Sequence, residues 1–533
     1  MTAAVSRLKI DDETLLVGSL IDRCPRTMML RELVQNGIEA AASAPAGERL
    51  VRLFALEVEG GRKLAIWNSG RGMNADELYR MCDIAASIRK TLSLDQNFGM
   101  GAKVAALASN TLGVRYRSCN DGKVHEVLLG HREGSYGRVR RPGPDGVPVE
   151  VLDVTEQAQV DGGDISRDWT EVVLLGRRRE QDTVQNPYDD DPQVGGNWIA
   201  ETLFQRYFRL PEGVAIRLVH GLHAEDGERI FRPLGARPEG NGALREAVTD
   251  TTGVTFHYFY DPPHPERDWE PLSANDELQQ NFGLLGLAHR GEMYQARTGG
   301  NWAYGAPVFG IVVSPRNYSV VVELPEDYPV IPDTYRTFLQ NVGADQGEVQ
   351  VDAFAATALS LRPKWLIELQ EPSELDFVLT KEFETEIRQL SDSLGLADAK
   401  AELPFQLRVL RDEQDIRDRW LIGRAAKYFP DVALLAINAR YRSLQELQAN
   451  LTDDIRARGG RHEAQDIQRI AERAFIRRIV RTLGLCLAKK NNPGEWGKKH
   501  IETATSEEAL TLAADDLSDL RLALRRDLGA EDA

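Results

Sequence analysis

"LRELVQNGIEAA", residues 30–41, sets Asn36-Gly37, a pair that more often closes a turn, inside a stretch with helical spacing. Leu30, Leu33, Val34, Gly37, Ile38 and Ala41 recur at the three- and four-residue intervals of one apolar helix stripe. The stripe passes through Asn36-Gly37, so the helix is predicted to do the same. Glu32, Asn36 and Glu39 gather on the opposite face. A mid-helix Gly costs about 1 kcal/mol relative to Ala, and Asn is a poor helix former, so the pair calls for a compensating gain. Two readings stay open at this point. One is a solvated face with a weak spot. The other is a metal-phosphate site, in which Asn36 offers a neutral oxygen to a hard cation, Glu32 activates a water and Gly37 admits close packing.

The chain of 533 residues is 42% hydrophobic and 28% charged, too long for one core and suited to three domains at about 150 residues each. Its formal net charge of -17 argues against coating nucleic acid or acidic membranes with the whole surface. Cys24, Cys82, Cys119 and Cys486 lie far apart without CxxC spacing, which suggests neither a zinc site nor a disulfide framework. No run approaches about 18 apolar residues and the start lacks a signal-peptide pattern, so a reducing, cytoplasmic setting without membrane is expected.

The fold class is read as α+β. "LVRLFALEV" (50–58) and "KLAIW" (63–67) read as strands, "SCNDGKVHEVLL" (118–129) as a hairpin turning at Asn120-Asp121-Gly122, and "TEVVLLG" (170–176) as a further strand. The polar, acidic stretch "QNPYDDDPQVGGN" (185–197) reads as a linker or long loop and places a first boundary, leaving one domain over 1–184. Residues 198–372 read as a second mixed domain, with strands "FGIVV" (309–313) and "SVVVEL" (319–324) and a helix near 353–370. From Glu374 strand patterns nearly vanish and amphipathic helical spacing dominates, so 374–533 is expected to be an all-α domain.

Two Gly-rich stretches sharpen the first domain. "LAIWNSGRGMNADEL" (64–78) leaves a strand, passes Gly70 and Gly72, and enters a helix that Asn74 can cap with Glu77. "QNFGMGAKVAALAS" (96–109) is a second Gly-rich loop that runs into an apolar helix, whose first amides and Lys103 could meet an anion. Each alone is weak, since turns and caps need Gly anyway. Their order and spacing are less common.

Together, Glu32-x-x-x-Asn36, Asn68-x-Gly70-x-Gly72-Met73 and Phe98-Gly99-x-Gly101-x-Lys103 resemble the three nucleotide-binding boxes of the GHKL superfamily: gyrase, the ninety-kilodalton heat-shock chaperone, histidine kinases and MutL. Thr170 is similar to the family's threonine that helps recognise adenine. Within the superfamily the chain looks most like MutL and the MORC ATPases. The resemblance implies a Bergerat α/β sandwich for the first domain and a transducer-like second domain. It implies ATP and Mg²⁺ as ligands, Glu32 as general base and Asn36 as the Mg²⁺ ligand. Gly99, Gly101 and Lys103 would cradle the phosphates, and residues 83–97, with Ser87, Arg89 and Lys90, would form a lid. Positioning and charge neutralisation by such a set suffice for slow phosphoryl transfer. One departure stands out: Asn68 occupies the place of a family Asp, and its amide can still accept from, and donate to, a base edge.

Arg336 and Lys364 are candidate contacts to the γ-phosphate, and the segment 473–499, with Arg473, Arg477, Arg478, Arg481, Lys489, Lys490, Lys498 and Lys499, is either a patch for nucleic acid or an acidic partner, or a salt-bridged surface. The implied function is an ATP-gated clamp that dimerises on nucleotide and meets DNA or a protein partner through its C-terminal third. The first 20 or so residues would exchange between protomers or pack on their own domain. A chaperone-like remodelling ATPase and a nucleotide-sensing module with little turnover are the alternatives.

Overall fold

The computed structural model describes residues 11–83, 101–219, 229–236, 242–264, 267–271, 283–333, 336–343, 347–393, 405–457, 463–490, 496–517, 520 and 524. Helices α1 (Glu13–Arg23), α2 (Met28–Ala41), α3 (Ala75–Met81), α4 (Gly101–Leu107) and α5 (Trp198–Arg206) accompany strands β1 (Leu50–Val58), β2 (Gly61–Asn68), β3 (Val114–Asn120), β4 (Lys123–Arg132), β5 (Ser135–Arg138), β6 (Val151–Asp153), β7 (Trp169–Leu174), β8 (Ala215–Leu218) and β9 (Arg229–Phe231). The strands form one sheet in the order β9-β8-β1-β2-β7-β3-β4-β5, with β6 beside β4. Only β1 and β8 pair in parallel; every other contact in this sheet is antiparallel.

The predicted stripe of α2 is the face that packs. Leu30, Leu33, Val34, Gly37, Ile38 and Ala41 are all buried, and they share a core with Val51, Leu53, Leu64 and Ile66 of the sheet and with Ala105 and Leu107 of α4. Gly37 meets Val51: a Cβ there would lie 3.3 Å from Val51 Cγ1, so glycine lets the helix lie close on the sheet. The hairpin β3–β4 turns at Asp121 and Gly122, both with positive φ (50° and 73°), as a twist-matched two-residue turn requires. The apolar run "TLLVGSL" (14–20) lies in α1, packed on this core through Val17, Leu20 and Ile21.

The stretch 185–197 does not divide the sheets. Beyond it, α5 packs on the first core and β8 pairs with residues 50–53, so residues 198–231 complete the first unit. Trp198 Nε1 donates to the Val184 carbonyl at 2.7 Å, and its ring meets Tyr188 edge-on. These contacts fold the loop back on its own domain. Parallel pairing between segments some 165 positions apart leaves no mark in local composition.

In the second unit β10 (Leu244–Thr249), β11 (Thr255–Tyr260), β12 (Leu284–His289), β13 (Glu292–Thr298) and β14 (Tyr318–Leu324) form a sheet in the order β10-β11-β14-β12-β13. "SVVVEL" is a strand as expected. "FGIVV" is not, because Phe309 closes a 3₁₀ turn, Gly310 has φ +77°, and the Val312 and Val313 amides donate to Gln370 Oε1 instead of a neighbouring strand. The helix expected near 353–370 is a 3₁₀ turn and two short helices (Ala355–Ser360, Lys364–Leu369), interrupted at Pro363, where a helix-interior amide is missing.

The C-terminal third carries the predicted long helices α6 (Glu374–Ser393), α7 (Arg442–Ala457), α8 (Ala464–Lys490) and the shorter α9 (Glu507–Asp515). It is not all-α. Strands β15 (Gln406–Leu410), β16 (Ala426–Phe429) and β17 (Leu434–Asn438) form a three-stranded sheet in the order β15-β17-β16. All five residues of β17 are buried: Leu435 and Ile437 pack with α6 and α8, while Leu434 and Ala436 pack toward Leu421, Val312 and Val313. A strand covered on both faces loses the alternation by which strands are read. Arg419, also buried, donates to the carbonyls of Ala303, Ile311 and Val312 and ties this unit to the second. No helix among the described residues is long and apolar enough to cross a membrane.

Candidate functional site

On β3 the residues that face the helices are Val114, Tyr116 and Ser118; β2 and β7 present Asn68 and Thr170 to the same face. Register sets the last three side by side, since Asn68 pairs with Thr170 and Thr170 with Ser118. The result is a buried polar row in an apolar face. Its groups satisfy one another: Ser118 Oγ and Thr170 Oγ1 share a hydrogen bond of 2.8 Å, and the Met73 amide donates to Ser118 Oγ at 2.8 Å. Asn68 Nδ2 donates to the Thr170 carbonyl at 3.3 Å, while its Oδ1 accepts from the Gly70 amide at 3.1 Å. Among the described residues, one N–H and one lone pair of the Asn68 amide have no further partner. Ser118 escaped the sequence reading, although a serine in the inward series Val114, Tyr116, Ser118 was the signal.

The loop between β2 and α3 is seated by its glycines. A Cβ on Gly70 would stand 2.8–2.9 Å from Ala40, largely against backbone, and one on Gly72 would stand 1.8 Å from the Cys119 carbonyl oxygen, with φ already at +66°. Both positions therefore need glycine for packing against the chain itself. Asn74 caps α3 as predicted: its Oδ1 accepts from the Glu77 amide at 2.9 Å, and Glu77 Oε2 accepts from the Asn74 amide at 3.3 Å.

On α2 the two predicted side chains differ. Asn36 is exposed, and its side chain makes no hydrogen bond among the described residues. Glu32 is 5% exposed, and one of its oxygens accepts from Arg31 Nη1. Its other oxygen faces Gly101, where an added Cβ would lie 1.9 Å from Glu32 Oε2. The Arg31 guanidinium reaches across to the second unit, where its Nη2 donates to Glu292. Glu292 in turn accepts from Arg336 Nη1 at 3.1 Å and stands 3.6 Å from Arg206 Nε. Burial works against the Arg31 charge, yet Glu292 and Glu32 hold its pKa above the ordinary arginine value. Burial likewise opposes the Glu292 charge, and Arg31 and Arg206 outweigh it, keeping the carboxyl below its usual range.

Lys103 is buried and its Nζ donates to the carbonyls of Met81, at 2.6 Å, and Asp83. It thus ties α4 to the end of α3 in this structure. Burial pushes its pKa down to about 8, against the pull of Cys82 and Asp83. Gly99 and the expected lid residues Ser87, Arg89 and Lys90 lie outside the described residues. Of the candidate cations in the second unit, Arg336 is engaged by Glu292, and Lys364 is an exposed side chain 3.4 Å from Glu368. In the C-terminal basic segment Arg473 pairs with Glu382, Arg478 with Asp516 and Lys498 with Glu502, and Lys489 lies over the Trp496 ring. This favours the salt-bridged reading of that surface.

No protein-family model and no curated protein matches this chain.

Proposed function

We propose that this protein binds ATP with Mg²⁺ in a first unit of the GHKL type, resembling MutL and MORC, and hydrolyses it slowly with Glu32 as general base. ATP-driven closure and dimerisation would then act as a clamp on DNA or within a DNA-linked or defence complex. The observation that carries the reading is convergence. Residues from four separate segments meet over one sheet: Glu32 lies against Gly101, the Asn68 side chain donates to the Thr170 carbonyl, and α2 joins the two groups because it carries Glu32 and a Cβ on its Gly37 would lie 3.8 Å from Asn68 Cβ. A transducer-like role for the second unit is supported by Glu292 and Arg336, which join the Arg31–Glu32 pair from outside the first unit.

The residues present fit a magnesium-nucleotide. Mg²⁺ is commonly held by one or two protein oxygens, with phosphates and waters supplying the rest. The exposed amide of Asn36, one helical turn from Glu32, offers one such oxygen. When bound, the metal would neutralise charge on the phosphates. Asn68 and Thr170 have the donor and acceptor groups to read a base edge, and the Glu32 carboxylate, held on one oxygen by Arg31, would orient and deprotonate the water. Lys103 is an anchor of α3 here, which leaves the phosphate cradle to the glycine loop and its amides. The direct test is phosphate release from ATP-Mg by wild type and Glu32→Ala, with nucleotide affinity measured by calorimetry. We expect retained binding and loss of turnover by about 10²-fold or more; unchanged turnover in the variant refutes the reading.

A further inference from the structure

We propose that Glu292, on the second unit, sets how firmly Arg31 holds Glu32 and so tunes that carboxylate from outside the domain that carries it; this rests on the reading of Glu32 as the base. Arg31 gives Nη1 to Glu32 and Nη2 to Glu292, and its buried Nε has no hydrogen-bond partner among the described residues. The two carboxylates therefore fix the guanidinium between them. Glu292 serves two more cations, Arg336 and Arg206, so three arginines draw on this one buried carboxylate. Glu292 holds Arg31 on Oε2 and Arg336 on Oε1, so the charges of Arg336 and Arg206 offset part of the pull that Glu292 exerts on Arg31, and the less of that pull remains, the more fully Arg31 serves Glu32. A carboxylate held wholly by an arginine is a weaker base than one that shares it.

The place of Glu292 makes this a link between units. It follows a tight turn at Arg290-Gly291 and forms a backbone bridge with Tyr207, and the Phe208 amide donates to the Gly291 carbonyl at 2.9 Å. The junction of first and second units is thus the point from which Arg31 is held. Other groups near the pair are Cys24, whose thiol is raised by burial and by Glu32, and Tyr207, whose hydroxyl donates to the Arg31 carbonyl at 3.4 Å. Tyr294 completes the surroundings on the Glu292 side. Arg31 and Glu292 are positioning residues in this scheme.

The test is the pH dependence of ATP-Mg turnover by the full chain, in wild type, Glu292→Gln, Glu292→Asp and Arg336→Met, with Glu32→Ala as reference. Removing the Glu292 charge leaves Arg31 to Glu32. We expect the acid limb of the profile to move down by about one pH unit and kcat to fall about tenfold with KM within about twofold. Removing Arg336 leaves Glu292 freer to hold Arg31, so the acid limb moves up. Glu292→Asp keeps the charge and leaves the limb in place. Opposite shifts support the proposal, because general damage to the junction moves both variants alike. Shifts of the same sign, or none, while Glu32→Ala is inactive overturn it. Turnover retained in Glu32→Ala, or absent in wild type, overturns the underlying reading and the proposal with it. If Glu292→Gln does not fold, Arg336→Met decides alone, and an unmoved limb overturns the proposal.

Discussion

Replacing Gly101 with alanine probes the contact between the glycine loop and the proposed base without touching a polar group. The new methyl would sit 1.9 Å from Glu32 Oε2, a separation that side-chain carbons do not adopt below 3.0 Å, so the carboxylate has to retreat by roughly 1 Å. Glu32 is the end of a flexible side chain, but it is buried and held by Arg31, so the retreat disturbs that pair. A misplacement of about 1 Å at a reacting group can cost about 10²-fold in rate. Stability moves less. Alanine at the start of α4 gains up to about 1 kcal/mol in helix propensity, which offsets part of the strained ion pair. We expect kcat for phosphate release to fall about 10²-fold while the unfolding midpoint changes little. Gly37→Ala is the contrast, since its methyl meets the Val51 side chain at 3.3 Å and needs only a small adjustment there. A folded Gly101→Ala protein with turnover within twofold of wild type would refute the placement of Glu32 at the reacting centre.

Gly72→Ala should destabilise the first unit by about 3 kcal/mol or more, because φ is +66° and the methyl would strike the Cys119 carbonyl oxygen at 1.8 Å; denaturant unfolding checks it. Arg419→Ala strips two buried carbonyls, of Ala303 and Ile311, and the part-buried one of Val312 of their donor at the junction of the second and C-terminal units, and we expect a loss of about 3 kcal/mol by the same measurement. For Lys103 the folded pKa of about 8 lies below the 10.5 of a free lysine. Between those values the unfolded chain holds a proton that the folded one has released, so the Lys103 contribution to stability rises with pH across that window. Thermal melting of wild type and Lys103→Met from pH 7 to 10.5 should show that rise in wild type and lose it in the variant.

Much of the first unit is legible in the sequence because its signals are local. The α2 stripe, the Asn74 cap with Glu77, the turn over 120–122 and the strands read at 50–58 and 170–176 each follow from a few neighbouring residues, and each is found at its pattern, the last strand running Trp169–Leu174. The long helices α7 and α8 were visible for the same reason. The glycine stretches were visible too, but their reason was not. Gly70 and Gly72 are required by Ala40 and Cys119, partners brought up by folding, and the sequence cannot separate close approach of the chain from close approach of a ligand.

Tertiary structure alone decided the rest. It carried the first sheet past residue 198, since parallel pairing of β1 with β8 depends on contacts between distant segments. It placed a sheet in the C-terminal third, since β17 is buried on both faces and carries no alternation. It bonded Ser118 to Thr170 and Lys103 to the end of α3. Above all, it bound Glu32 to Arg31 and Arg31 to Glu292, 261 positions away. Sequence spacing determines which side chains share a helix face, because the helix repeat is fixed. Which charge a buried arginine neutralises is settled only when the units dock, because an ion pair taken out of water depends on every group packed around it.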